Sequence, residues 1–124
     1  DDSINDNKNF AYSSPAEINI DNENIEFSGN WTDVLLKILT ELYNYNTEVF
    51  INASKTIIDE YGYKGVQISN TQDDMRAPYE FVEGMFVETN TNTIHKLSLL
   101  QRIIKKMNYE HKVNITYITK NNEE

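Results

Sequence analysis

Three groups of side chains in this sequence could do chemistry. Carboxylates gather at Asp59-Glu60, Asp73-Asp74, Glu80, Glu83 and Glu88, two histidines stand at His95 and His111, and Lys96, Arg102, Lys105, Lys106 and Lys112 form a cationic run near the C-terminus. A nuclease-type metal centre sets two acids, usually with a lysine, on adjoining strands. Glu80, Glu83 and Glu88 are followed by no such lysine, so that pattern is not met. Zinc needs further ligands at close spacing to the histidines, and none converge on them in the sequence. His95 is placed on the polar side of the last helix with Arg102 and Lys106, and His111 in the turn beyond it; both read as solvated. The run Asp73-Asp74-Met75-Arg76 lacks the spacing of a calcium loop and reads as a solvated turn. The serines, from Ser3 to Ser98, have no nucleophile context. No catalytic residue, metal or cofactor is expected.

The polar knot Thr89-Asn90-Thr91-Asn92-Thr93 raises one further possibility, because the N–H groups at a helix start attract anions. A phosphate cradle would need a glycine-rich loop followed directly by lysine, which is missing, and Glu88 adds negative charge at that place. Asn90 or Asn92 as an ordinary N-cap accounts for the knot without a ligand.

The cationic run is the best candidate contact surface. Lys96, Arg102, Lys105 and Lys106 are read as lying opposite the apolar stripe of the last helix, with Lys112 just past it. Together they offer about four or five phosphate contacts, enough for weak, salt-sensitive nucleic-acid binding. The plainer role for the same residues is to complement the helix dipole.

Charge is unevenly distributed. The 124 residues carry a net −9. Residues 1–62 hold three lysines against twelve acids, also −9, while 63–124 hold eight basic and eight acidic groups. The chain has an acidic front and a neutral second half whose positions 94–120 are basic. It has no cysteine, which excludes disulfides, thiol nucleophiles and iron–sulfur centres. No run reaches the ~18 apolar residues of a membrane span, so a soluble, cytoplasmic domain is expected. The Asn-X-Ser/Thr triplets at Asn30, Asn52 and Asn114 follow from the abundance of asparagine. A chain opening on Asp1 reads as part of a longer protein.

The elements that must hold these groups follow from periodicity. Ile18, Ile20, Ile25 and Phe27 alternate around a polar turn at 21–24, which predicts a β-hairpin. Asn30 caps a helix bearing Trp31, Val34, Leu35, Ile38, Leu39 and Leu42 on one stripe, with Trp31 anchoring it to the sheet. A second helix is expected from Thr47 to near Gly62, then a short strand in "KGVQISN", a loop through Pro78, and a strand pair or bent strand around Gly84. A helix over 92–107 carries Ile94, Leu97, Leu100, Ile103, Ile104 and Met107 on one face, and "KVNITYI" closes the chain as a strand. The order ββααβββαβ predicts an α+β domain over 17–118, with a small, mostly antiparallel sheet packed on two to three helices. The polar ends, 1–16 and 119–124, are expected to be disordered.

The stretches "FSGN" before "WTDVLLKILTELY", "VQISN", "MRAP" and "FVETNTNTIHKLSLLQRII" give residues 17–118 a likeness to a known type. The chain resembles a small accessory module of the C-terminal or linker regions of bacterial restriction- and defence-like proteins. It also looks like modules known only as domains of unknown function. The resemblance implies a non-catalytic module that positions a neighbouring nuclease, helicase or methyltransferase domain by touching protein or DNA. The alternative is a free-standing acidic regulator whose carboxylates imitate a phosphate backbone.

Overall fold

The computed structural model describes residues 13–119 and the backbone of Asp2–Ser3. Of the ends expected to be disordered, residues 1, 4–12 and 120–124 lie outside the described residues, whereas 13–16 and Thr119 are in strands. In chain order the elements are β1 (Asp2–Ser3), β2 (Ser13–Ile20), β3 (Glu23–Ile25), α1 (Trp31–Tyr45), α2 (Thr47–Ser54), β4 (Ile68–Ser69), β5 (Pro78–Val82), β6 (Met85–Glu88), α3 (Thr93–Met107) and β7 (Val113–Thr119). The class is α+β, and from β2 onward the order is the one read from periodicity.

The first hairpin is tighter than expected. Asp21 and Asn22 both hold positive φ, 52° and 71°, the two-residue turn whose twist matches that of the flanking strands. Asn and Asp tolerate this region better than other residues with a Cβ, so two residues suffice and Glu23 and Asn24 join β3. The second helix is shorter than expected, ending at Ser54. Beyond it the Asp59 carboxylate accepts from the Tyr61 and Tyr63 N–H groups, at 3.0 and 2.6 Å. That local turn competes with helical hydrogen bonding. The β5–β6 strand pair turns through Gly84, whose φ of +84° a side chain would strain.

One sheet was expected; there are two, ordered β1-β7-β2-β3 and β4-β6-β5, with every neighbour antiparallel. β7 inserts between β1 and β2, and β6 already has a partner on each side, so the sheets share a core rather than an edge. α1 packs on α2, α3, β2 and β5, and thereby on both sheets. Its stripe of Val34, Leu35, Ile38, Leu39 and Leu42 is fully buried. Ile18, Ile115, Val87, Phe50, Leu100 and Ile103 close around it. Trp31 anchors α1 to the first sheet, donating from Nε1 to the Ser13 carbonyl at 3.2 Å and tilting against Tyr117.

Candidate functional site

The polar knot before α3 is built around two buried charges. The Asn92 side chain caps the helix, accepting from the His95 N–H at 2.8 Å. Glu88, at the end of β6 and 2% exposed, accepts from Arg76 N at 2.6 Å and from Ala77 N and Asn90 N at 2.9 Å each. Burial alone would raise its pKa. The three N–H groups and the Arg76 charge outweigh that, and the carboxyl sits below its ordinary range. Lys96 Nζ donates to the Thr89 carbonyl at 3.1 Å, to Thr91 Oγ1 at 3.3 Å and to the Thr91 carbonyl. Burial pulls its pKa down and the Glu88 charge partly restores it. The knot is a cap whose N–H groups and carbonyls are taken by the chain's own side chains.

This corrects the cationic face. Lys96 is 6% exposed, so it is no contact residue. Its place on the helix gives the reason. Leu99, 2% exposed, widens the buried stripe, and Lys96 stands three and four residues before Leu99 and Leu100 on that same side. Counting Leu99 with the stripe would have shown this in the sequence. Arg102 pairs with Glu60, from the acidic front half. Lys105, Lys106 and Lys112 remain exposed, the first two beside a hollow shared with Asn52 and Asn108.

His95 departs from expectation too. Its side chain is 17% exposed, with Nε2 3.5 Å from the Asp59 carboxylate and 3.4 Å from the Tyr61 carbonyl. The rings of Tyr61 and Tyr63 stand over it. Residues 59–63 therefore lie across part of the polar side of α3, held through Asp59–His95 and Glu60–Arg102. His111 is exposed as expected, although it pairs with Asp21, whose carboxylate also accepts from Lys112 N at 2.8 Å.

Sequence reasoning missed the groove that this segment creates. About 710 Å³ lies between the end of α2 with residues 55–66 on one side and β4 with the β5–β6 turn on the other. Such a volume suits a drug-sized molecule or a short peptide. Ile51, Ile57, Ile58, Val66 and Met85 supply apolar lining. Ile58 is 75% exposed and Val66 37%, two aliphatic side chains left in water at one mouth. Tyr63 closes down on Gly65, where any Cβ would come within 2.8 Å of the Tyr63 hydroxyl. Gln67, also in the lining, is 8% exposed. Its side-chain Nε2 is buried with no hydrogen-bond partner among the described residues. An unsatisfied buried amide costs free energy on the order of 1–3 kcal/mol, so it calls for an explanation. No pattern in the sequence pointed to it, since Gln67 between Val66 and Ile68 reads as the outward member of an alternating strand.

Among the described residues no three His, Asp or Glu side chains are grouped to hold a metal, and no helix is long and apolar enough to cross a membrane. No family model, curated protein or solved structure matches the chain.

Proposed function

We propose that the domain is a non-catalytic binding module that engages a protein partner through the groove between α2 and β4. The observation that carries this reading is the groove's combination of exposed aliphatic side chains with a buried, unpartnered amide. Apolar surface and hydrogen-bonding capacity left unused in the free domain are what a partner would consume. The accessory role in a larger bacterial protein, beside a nucleic-acid-handling domain, belongs to the same proposal and draws on the resemblance alone.

The nucleic-acid reading keeps a narrower basis, the three exposed lysines 105, 106 and 112. Three phosphate contacts predict a salt slope of about −2.7, too shallow for tight binding by a chain of net −9. The acidic-regulator alternative draws on front-half carboxylates. Of these, Asp21, Asp33 and Asp59 already accept from backbone N–H groups of their own chain.

Panning a random heptapeptide display library on the domain, then on the double variant Ile58→Glu with Val66→Glu, tests the groove. Clones that bind the unaltered domain and lose the variant are the expected result. Clones indifferent to the variant, alongside duplex-DNA binding that disappears in Lys105→Glu with Lys106→Glu, would move the site to the end of α3.

A further inference from the structure

We infer that the occupant of the groove is an extended peptide segment of the partner, added to the three-stranded sheet as a further strand along β4, with the Gln67 amide binding its backbone. This rests on the groove being the partner site.

Among the described residues β4 is an edge strand, paired with β6 on one side. Glu88 N donates to the Gln67 carbonyl at 2.8 Å, while Ile68 stands opposite Val87. Antiparallel alternation therefore directs the main-chain groups of Gln67 and Ser69 toward β6 and turns the N–H and C=O of Ile68 to the open side. The other edge of this sheet is protected: β5 begins at Pro78 and its register slips between Glu80 and Val82. Proline and bulges are the usual means of blunting an edge against a further strand. β4 has neither.

The groove follows this edge. Gln67, Ile68, Ser69 and Asn70 line it, and within that stretch Ile68–Ser69 is the strand whose open side an added segment would meet. Gln67 Nε2 is buried in the free domain, so pairing requires the side chain to turn toward the added strand, where its donor and acceptor match those of a peptide unit better than a purely apolar ligand. Charge selects further. Of the ionisable groups in the lining, Asp59 is engaged by Tyr61 N, Tyr63 N and His95, leaving Lys55 and Glu83, one of each sign. A segment without net charge, carrying apolar side chains for Ile51, Ile58 and Met85, fits that balance; a polyanion does not. Strand addition takes its affinity from main-chain hydrogen bonds and its selectivity from pockets for alternate side chains.

The test uses a pool of acetylated, amidated heptapeptides alternating threonine with Val, Ile, Leu or Phe, and a second pool N-methylated at alternate residues to remove strand donors. Expected by NMR on the whole chain are a tenfold or greater slowing of Ile68 N–H exchange with the first pool, a shift of the Gln67 side-chain amide signals, and at least tenfold weaker binding of the second pool. Gln67→Met should weaken the first pool at least fivefold while leaving Tm equal or higher, which a merely structural role for Gln67 would not produce. Ile58→Glu, at an exposed position, should weaken it without unfolding the domain. Equal binding of both pools in the groove would overturn strand addition and leave the groove as the partner site. Failure of both pools to perturb the groove at millimolar concentration would overturn both strand addition and the groove as the partner site. Self-association of the free domain, abolished by Ile58→Glu, would overturn the partner in favour of a second copy of this chain.

Discussion

At the scale of single residues, the protein spends its acids and asparagines on its own backbone. Asn30, Asn46 and Asn92 cap the three helices, Asp33 reaches back to the Ser28 N–H, Glu80 takes Gly84 N, and Glu88 takes three N–H groups at once. Glu88→Gln removes a charge and part of that acceptor capacity beside buried Lys96. It should cost about 2–4 kcal/mol at neutral pH, read from the urea midpoint. Because folding lowers the Glu88 pKa from its ordinary 4.5, its contribution is present above that value and is lost as pH falls through the folded one. The stability gap between Glu88→Gln and the unaltered protein should therefore be constant near pH 7 and narrow as pH falls below the ordinary 4.5. Lys96→Met, which strands the Thr89 and Thr91 carbonyls and the Glu88 charge, should cost about 2–3 kcal/mol. A smaller loss than 1 kcal/mol would place the Lys96 side chain in solvent.

At the scale of elements, α3 and the segment laid across it define the site. The helix stops at Asn108, held at φ 52° in the left-handed region, with His95 and Arg102 covered by residues 59–63. Asn92→Ala should lower stability by about 1 kcal/mol through loss of the N-cap, and Asn108→Gly should leave it unchanged or raise it slightly. Asp59→Ala has a different expected signature. It releases Tyr61 N, Tyr63 N and His95 together, so amide exchange should quicken across 57–66 while the global unfolding midpoint moves little. Unaltered exchange in that segment would mean the groove wall is held by its apolar contacts and not by the aspartate.

At the scale of the molecule, α1 touches both sheets and α3 joins them in sequence, so the two sheets have one core. Leu100→Ala, at a fully buried position, should cost about 3–4 kcal/mol. It should lower the transition seen by Trp31 fluorescence, on the first sheet, and by Ile68 amide exchange, on the second, by the same amount. Divergent shifts would show the sheets unfolding separately. The pairing of Arg102 with Glu60 also acts at this scale, because it ties one acid of the front half to the last helix.

Local patterning determined the order of elements, the cap at Asn30 and the anchoring Trp31, and it narrowed the α3 cap to Asn90 or Asn92 and the Gly84 region to a strand pair or a bent strand. These depend on spacings of two to four residues and on side chains bonding within one turn, quantities that a linear sequence contains. The division into two sheets and the groove at Gln67 were decided only by tertiary structure. Each depends on which distant segment lies alongside. A helical wheel locates the side of α3 away from the core, but whether water or residues 59–63 cover His95 and Arg102 there depends on a contact between positions more than thirty residues apart. Likewise β4 is an edge because, among the described residues, β6 is the strand that pairs with it.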